Sequence, residues 1–246
     1  IFAGRYAEAQ ALANAKLMAR PLAQMPYQSV GDLLIDMPGI VGKSIGGYER
    51  ALDIDAALAT THFTAGGVGF RRDVIASPVR QVIAIRLGAD RPGAIDLDLS
   101  FRTGQAATIA AQGDMLLVVG RNRADQGVEG ALRFEVRARL IHKGGRRSAE
   151  DTRLKLRGAD EALILIAMAT SYRRFDDVSG APAATTERQI ADASALSFAT
   201  LAAETAEEHR RLYRGVAIDL GHTPAADRPT DERIRTSETS DDPALA

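Results

Sequence analysis

Residues 95–102 are Ile95-Asp96-Leu97-Asp98-Leu99-Ser100-Phe101-Arg102, a strict alternation of apolar and polar side chains. Successive side chains of a β-strand point to opposite faces, so this stretch predicts a strand with one buried face and one face in water. Residues 132–140 repeat the pattern, with arginine and glutamate in the polar positions. The two stretches together predict an antiparallel sheet with one solvated side.

Shorter apolar runs extend this pattern in both directions from about Gly31 to Thr170. The further predicted strands are Asp32–Asp36, Leu52–Asp55, Ala59–Thr64, Val68–Ala76, Val82–Leu87, Met115–Gly120, Thr152–Leu156 and Ala162–Ala169. Turn-forming residues lie between them, at Gly66-Gly67, Arg91-Pro92-Gly93, Gly113-Asp114 and Gly144-Gly145. Many short strands without intervening helices predict an antiparallel β-sandwich rather than a parallel α/β fold.

Helical segments precede the sandwich. Residues 5–19 are rich in alanine, leucine, glutamate and glutamine, which are good helix formers, and the helix is expected to end at Pro21 and Pro26. One apolar face is predicted from helical spacing, comprising Tyr6, Ala9, Leu12 or Ala13, and Leu17.

Helical segments also follow the sandwich. They are predicted at Ala183–Ala195 and at Ser197–Tyr213, with Ser197 as the N-cap of the second. Val216–Leu220 is predicted to form a short strand, and the chain from Gly221 onward is polar and typical of a linker or a disordered end.

Length and composition limit the classes of function. The 246 residues suffice for one large β domain with a helical extension. A net charge of -1 with few aromatic residues favours neither nucleic acid nor an anionic membrane as partner. Cysteine is absent, which excludes disulfides, thiol nucleophiles and thiolate metal sites, and no apolar run is long enough to predict a membrane span. The chain begins inside a helical pattern at Ile1, so we expect its natural start, and any signal peptide, to lie upstream.

Two glycine-rich segments resemble ligand-binding loops. The segment Pro38–Ser44 ends in Gly-Lys-Ser, but a phosphate-binding loop needs a glycine where Met37 stands and a helix after the lysine. A loop between strands is therefore predicted. In Thr64–Gly69 the glycines are expected to supply the positive φ angles of a hairpin.

No residue pattern predicts a catalytic or metal site. The four histidines (His62, His142, His209 and His222) are scattered, and no two have the spacing of a helix-borne zinc motif. Asp176 and Asp177 follow two aromatic residues, but adjacent carboxylates in a solvated loop are the more ordinary interpretation. We predict no catalytic, cofactor-binding or metal-binding residues, and no cofactor.

Several segments resemble, in chain order, glycoside hydrolase family 95, the inverting α-L-fucosidases. Pro26-Tyr27-Gln28-Ser29-Val30-Gly31-Asp32-Leu33 is similar to the family's Pro-Tyr-Gln-Pro-Leu-Gly-Asp-Leu element, and Tyr48–Asp55 is similar to its Tyr-Arg-Arg-Glu-Leu-Asp-Leu-Asp strand. The other matching segments are Gly4–Ala9, Phe70–Arg72, Ala76–Pro78, Gln81–Ile83, Ala89–Gly93, Ala169–Tyr172, Asp177–Gly180, Leu212–Val216 and Pro229–Arg233. The chain departs from the family pattern at Ser29, in Gly42–Gly47, at Ala181 and at Gly215.

The resemblance implies an N-terminal β-sandwich of the super-sandwich type, a helical linker, an (α/α)6 catalytic barrel and a C-terminal β domain. On that pattern residues 1–175 are the sandwich without its opening strands, 176–214 the helical linker, and 215–246 a short strand and extended tail leading toward the barrel. The family's general acid and base lie in the barrel, and no position of this sequence matches them.

The expected function is therefore that of the non-catalytic N-terminal portion of an α-L-fucosidase-like glycoside hydrolase, inactive alone. Its expected partners are its own catalytic barrel and, through the barrel, a fucosylated oligosaccharide, in a periplasmic or extracellular location. The alternatives are a free-standing carbohydrate-binding module and a purely structural or partner-binding β-sandwich. The absence of tryptophan weighs against the first alternative, because sugar-binding modules usually present exposed aromatic side chains. An exposed apolar patch would fit both the hydrolase fragment and a structural domain.

Overall fold

The computed structural model describes residues 1–18, 25–219 and 221–237. Within these ranges the chain forms ten β-strands and four α-helices. The strands are β1 (Asp32–Asp36), β2 (Ile45–Asp53), β3 (Leu58–Ala65), β4 (Val68–Ser77), β5 (Val82–Ala89), β6 (Ile95–Arg102), β7 (Ala106–Gln112), β8 (Met115–Arg121), β9 (Arg133–Glu150) and β10 (Arg153–Thr170). The helices are α1 (Tyr6–Lys16), α2 (Pro182–Ser194), α3 (Phe198–Tyr213) and α4 (Thr230–Thr236), with 3-10 helices at Pro38–Ile40 and Pro224–Asp227.

All ten strands belong to one antiparallel hydrogen-bonded sheet. Its main path runs β2-β3-β4-β5-β10-β9-β8-β7, and β6 joins β10 on one side and β1 on the other. The strand β10 changes partner along its length: residues 153–159 pair with β6, whereas residues 161–166 pair with β5. The long hairpin of β9 and β10 thus pairs with β5 in one part and with β6 in the other. For this reason the sheet folds into the two layers of a β-sandwich. The predicted fold, a β-sandwich followed by helices, is confirmed.

The interior of the sandwich is built from the alternating apolar positions. Ile95, Leu97 and Leu99 of β6 are fully buried, as their spacing predicted. They belong to a core cluster with residues of the β8, β9 and β10 strands. Such interdigitated inner faces are what stabilises a sandwich.

A second apolar core covers the outer face of the sheet at β4, β5 and β10. Ile190, Phe198 and Leu201 of α2 and α3 pack against Ile75 and Leu165 of the sheet. For this reason residues 162–167 of β10 are buried without interruption: alternate side chains face the sandwich interior and the helices. The helices predicted after the sheet are confirmed with shifts of one residue, and Ser197 caps α3 by accepting a hydrogen bond from the Thr200 N–H at 3.1 Å.

A network of ion pairs and hydrogen bonds links three strands, β3, β4 and β5, on the same outer face. Asp73 of β4, 1% exposed, accepts hydrogen bonds from Arg71 Nε at 2.8 Å, from Arg86 Nη2 at 2.5 Å and from the Thr60 hydroxyl at 3.1 Å. Burial alone would raise the pKa of the Asp73 carboxyl, but these three donors outweigh it and hold that pKa below its ordinary value. Hydrogen bonding to Asp73 correspondingly raises the pKa of Arg71.

Several predictions about local structure were wrong, and the first two concern β9. Gly144-Gly145 does not form a turn but lies inside β9, with φ angles of 66° and 71°, where the pairing with β10 shifts register. Glycine in a strand can mark such an irregularity as well as a turn. Glu135, predicted on a solvated strand face, is 4% exposed because α2 packs against β9 at that position.

Two further errors concern segments outside the two-layer sheet. Residues 216–219 have no regular secondary structure, whereas a strand was predicted at Val216–Leu220, of which Leu220 lies outside the described residues. A short apolar run becomes a strand only when it finds a partner strand. The region from Gly221 forms a 3-10 helix and α4 rather than only an extended tail. In addition, β7 was not predicted, since its apolar side chains are mostly alanine.

The N-terminal helix is shorter than predicted and packs differently. It ends at Lys16, and the predicted helix end at Ala19 and Pro21 lies outside the described residues. None of its residues is buried, so the predicted apolar face is not covered within the described part of the chain.

The described residues up to His209 form one compact unit and those from Arg210 onward form a second. The first contains α1, the whole sheet, α2 and most of α3. The second contains the last turn of α3, the 3-10 helix and α4. The division predicted at residues 175 and 214 stays a prediction.

Candidate functional site

The motif-lined cleft has a volume of about 560 Å³ and lies where β1 meets the end of β6. Three segments line it: residues 26–32, which approach and begin β1, residues 102–105, which follow β6, and residues 123–125 after β8. The first segment belongs to the stretch Pro26–Leu33, which resembles the fucosidase pattern. The structure therefore places that segment in the wall of a cleft.

Gly31 permits the close approach of the two strands that form the floor. Its φ angle is +137°, and a Cβ atom there would lie 2.6 Å from a ring carbon of Phe101 and would also collide with the Arg102 carbonyl oxygen. The next residue, Asp32, is opposite Arg102 in the β1–β6 ladder. Arg102 Nη2 donates to Asp32 Oδ2 at 2.8 Å, so the pairing register sets one arginine and one carboxylate side by side at the cleft.

A glutamine side chain joins the three segments. Gln105 Nε2 donates to the Ser29 carbonyl at 2.7 Å, and Gln105 Oε1 accepts from the Arg123 N–H at 2.9 Å. Gln28 Nε2 donates to the Arg123 carbonyl at 3.1 Å, and the Thr103 hydroxyl donates to the Val30 carbonyl at 2.6 Å. The first segment, which lies more than 70 residues from the other two in sequence, is thereby joined to both of them.

The cleft presents charged, polar and aromatic side chains. Its charged side chains are balanced, with Asp32 and Asp125 against Arg102 and Arg123. The ring of Tyr27 is fully exposed beside them. Such a surface can accept and donate hydrogen bonds and cover an apolar patch of a partner with an aromatic ring.

Sequence patterns alone did not identify these residues as a site. Tyr27 and Gln28 lay in a matching segment, but nothing local gave them a role. Arg102, Gln105 and Arg123 have no motif around them and come together only through strand pairing. The only signal that the sequence offered was the position of Tyr27, directly after Pro26 in the segment that resembles the fucosidase family.

The structure confirms that the two glycine-rich segments are connections between strands. After the 3-10 helix Pro38–Ile40 the chain passes through a turn that contains Lys43 and enters β2 at Ile45, so the lysine is followed by a strand and not by the helix that a phosphate loop requires. Its aliphatic stem lies beside Gly66. Gly66 and Gly67 form the β3–β4 hairpin with φ angles of 58° and 75°.

The four histidines are dispersed in the structure. His62 is half-buried in β3, and a ring nitrogen of His142 lies 2.7 Å from the Gly144 carbonyl. His209 Nε2 lies 2.7 Å from the Ile54 carbonyl, and His222 Nε2 lies 3.0 Å from Asp227 Oδ1. Across residues 1–18, 25–219 and 221–237, no three His, Asp or Glu side chains come together in a way that could hold a metal ion.

Asp176 and Asp177 are engaged in the local turn. Arg174 Nε donates to Asp176 at 2.8 Å, and the Ser179 N–H donates to Asp177 Oδ1 at 2.8 Å. Hydrogen bonding from Ser179, through its side chain and then its backbone, lowers the pKa of the Asp177 carboxyl. A carboxyl with a lowered pKa stays ionised and is a poor general acid, because a general acid needs a pKa near the working pH.

The helices of the described residues are too short or too polar to cross a membrane. The assignment of no catalytic, cofactor or metal residue stays a prediction.

Comparison with known proteins gives three findings. Residues 1–174 match the family model for the N-terminal domain of glycosyl hydrolase family 65. The chain is 26% identical, over 98% of its length, to "Alpha-L-fucosidase 2" of Arabidopsis thaliana, and 22% identical, over 88%, to "Probable alpha-fucosidase A" of Aspergillus niger. The resemblance to family 95 α-L-fucosidases is consistent with the family model and with the two relatives.

A solved structure shares the fold. The chain superposes on "Putative kojibiose phosphorylase from human microbiome" with a TM-score of 0.54 and 11% identity, covering 76% of this chain and 28% of that one. At that identity the likeness concerns the fold alone. The chain spans about a third of the length of the curated relatives, 32% of the first and 28% of the second.

Proposed function

This chain belongs to the family of glycosyl hydrolase family 65 N-terminal domains, and we propose that it is the non-catalytic N-terminal portion of an α-L-fucosidase acting on fucosylated glycans. One observation carries the choice of sugar: the similarity to a curated α-L-fucosidase extends over 98% of the chain. The second relative is also named a fucosidase. The segments that resemble family 95 support the same assignment, since they occur in order from Gly4 to Arg233.

In the proposed parent protein the chain divides as its sequence pattern indicates. Residues 1–175 are the β-sandwich, 176–214 the helical linker and 215–246 the connection toward an (α/α)6 catalytic barrel. This barrel and the fucosylated oligosaccharide that it holds are the proposed partners.

The proposed chemistry is hydrolysis with inversion at the fucosyl anomeric carbon. One carboxylic acid protonates the leaving oxygen while a carboxylate on the opposite face activates water, and the two groups are about 6.5–9.5 Å apart to admit that water. We assign both groups to the barrel. The assignment is supported by the ion pair that joins Asp32, a carboxylate of the motif-lined cleft, to Arg102.

The proposed role of the motif-lined cleft is to contact the barrel. The exposed ring of Tyr27 would be covered by a partner surface, and the four charged side chains would fix its orientation. Aromatic and arginine side chains are the groups that contribute most to protein interfaces.

The test compares this chain with a longer gene product that contains it. Both are purified and assayed with 4-nitrophenyl α-L-fucoside, and the anomer released first is identified by NMR. We expect activity, with inversion, in the longer protein only. Hydrolysis by residues 1–246 alone would overturn the non-catalytic assignment, and a longer protein that cleaves other glycosides but not fucosides would overturn the choice of sugar.

The Tyr27→Ala variant of the longer protein tests the contact. We expect the substitution to lower the activity of the longer protein. The same substitution in the isolated chain should leave its unfolding temperature unchanged. Tyr172→Ala, which removes another exposed tyrosine outside the cleft, is the control. Equal activity of the two variants would contradict the contact.

A further inference from the structure

A second cleft, the aromatic cleft, has a volume of about 320 Å³ and lies on the inner side of β2, β3 and β4. One wall is a row of rings on these strands, Tyr48, Phe63 and Phe70, and the opposite wall is Met37 and Ile40 at the 3-10 helix. The volume falls in the range of about 300–1,000 Å³ that small-molecule sites occupy.

The rings form a graded platform from the core to solvent. Phe63 is opposite Phe70 in the β3–β4 ladder, and their rings stack with centroids 5.2 Å apart and planes 18° apart. Tyr48 lies 6.4 Å from Phe63, tilted by 32°. Phe70 is buried, whereas Tyr48 is 58% exposed. The outermost ring is therefore supported from behind and open in front.

The backbone holds Tyr48 in that position. The β2–β3 ladder is interrupted between Gly46 and Glu49, and Gly47 has a φ angle of +54°. A bulge of this kind redirects a side chain without breaking the sheet. Tyr48 is thus aimed by an irregularity that costs two ladder positions.

Polar groups converge on the same cleft. Thr61 and Arg72 are opposite each other in the β3–β4 ladder, with Arg72 Nη2 3.4 Å from the Thr61 hydroxyl oxygen, a distance at the outer limit of a hydrogen bond. The carboxylate of Asp36, at the end of β1, is exposed and has no hydrogen-bond or ion-pair partner among the described residues. An acceptor, a donor and a hydroxyl consequently face a cavity whose remaining lining is mostly apolar, with Arg71 as a further charged residue.

We propose that the aromatic cleft binds a 6-deoxyhexose unit, a terminal α-L-fucosyl group of the glycan. The choice of this sugar rests on the proposed function. A 6-deoxyhexose has an apolar edge, its methyl group with the adjacent ring C–H bonds, and an opposite edge of hydroxyl groups. The methyl edge packs against Tyr48, Met37 and Ile40, and the hydroxyl groups bond to Asp36 and Arg72. The site binds and performs no bond cleavage.

The measurement is a titration of the chain with methyl α-L-fucopyranoside, followed by ligand-observed NMR. Methyl α-L-galactopyranoside is the matched ligand, since it differs only by a hydroxyl group on C6. We expect the fucoside to bind with a Kd near the millimolar range and the galactoside about ten-fold more weakly, because an apolar pocket discriminates modestly against an added hydroxyl.

Two variants locate the site. Tyr48→Ala should weaken fucoside binding about ten-fold, since the ring supplies both area and stacking. Tyr172→Ala is the control, because Tyr172 has the same exposed fraction, 58%, and does not line the cleft. Asp36→Asn, which keeps the size of the side chain, should weaken binding about five-fold through loss of a charge-assisted hydrogen bond. Unfolding temperatures equal to that of the parent chain show that each variant is folded.

Each outcome decides the proposal. Absence of a binding signal at about 10 mM fucoside, well above a millimolar Kd, or unchanged binding by Tyr48→Ala, overturns the site. Equal binding of the two glycosides overturns the preference for a deoxy sugar. A chain that binds fucoside while the longer protein fails to hydrolyse it leaves the site standing and refutes the proposed function. If the longer protein hydrolyses fucoside but this chain does not bind it, the binding site is refuted and the proposed function stands.

Discussion

The hydroxyl group of Thr186 in α2 donates a hydrogen bond of 2.5 Å to a carboxylate oxygen of Glu135 in β9. Both side chains are buried, and Glu135 also accepts from Arg137 Nε at 2.6 Å. A buried carboxylate is tolerated only when donors satisfy it. The first helix after the sheet is therefore attached to the sandwich by a specific polar contact as well as by apolar packing.

Removing the Thr186 hydroxyl should destabilise the chain. Thr186→Val keeps the shape of the side chain but leaves the Glu135 carboxylate short of one donor, and we expect the free energy of unfolding to fall by about 2 kcal/mol. Thr186→Ser retains the hydroxyl and should cost less than half as much. Urea denaturation of both variants measures the difference. A loss for Thr186→Val no larger than that for Thr186→Ser would contradict a stabilising role of this hydrogen bond.

The apolar contact of α3 with the sheet gives a second prediction. Leu201 is fully buried among Ile75, Ile190 and Phe198, so Leu201→Ala should lower the free energy of unfolding by about 2–4 kcal/mol. Leu212→Ala on the same helix is the control, because Leu212 is 66% exposed and its loss should change stability by less than about 0.5 kcal/mol. Similar losses for the two variants would contradict the packing of α3 on the sheet.

The buried ion-pair network predicts a dependence of stability on pH. The pKa of Asp73 is lower in the folded chain than its ordinary value of about 3.9. The carboxylate therefore contributes stability above that ordinary value, and the contribution is lost as the pH falls through the folded pKa. Asp73→Asn should lower the free energy of unfolding at pH 7 by about 2 kcal/mol, less than for fully buried pairs because Arg71 and Arg86 reach solvent.

Chemical denaturation of the parent chain and Asp73→Asn between pH 7 and pH 3 tests this dependence. The difference between them should shrink toward acid pH. A difference that stays constant across the range would show that Asp73 acts through packing alone.

The floor of the motif-lined cleft gives a fourth prediction. Gly31→Ala places a Cβ atom against the Arg102 carbonyl and the Phe101 ring at a φ angle of +137°, and should cost at least about 2 kcal/mol of unfolding free energy. Gly88→Ala, where nothing lies within 4 Å, should be nearly neutral. Thermal unfolding compares the two. A neutral Gly31→Ala would mean that β1 can move away from β6.

Much of the fold could be predicted because strand formation depends on neighbouring residues. The alternation at residues 95–102 is sufficient to set one apolar face, and the structure buries Ile95, Leu97 and Leu99 completely. The Gly66-Gly67 hairpin follows equally from local backbone preference. The Gly144-Gly145 pair shows the limit, since the same preference serves a turn or an irregular strand, and only the partner strand decides between them.

The candidate sites could not be predicted in this way. Asp32 and Arg102 meet because β1 pairs with β6 in one register, and Tyr48 and Phe63 meet because β2 pairs with β3 through a bulge. A shift of one residue in either ladder would turn these side chains to the other face. No short segment of sequence contains that information.

The sequence by itself determined the antiparallel β fold class, the main hairpins, the two helices after the sheet and the family resemblance. All of these depend on short-range conformational preference or on ordered motifs. The tertiary structure decided which faces are buried and which side chains share a cleft. Glu135 illustrates the division: its position in an alternating strand predicted exposure, and the packing of α2 buried it. Burial and proximity are properties of contacts between segments far apart in the chain, and those contacts are settled only when the sheet closes and the helices cover it.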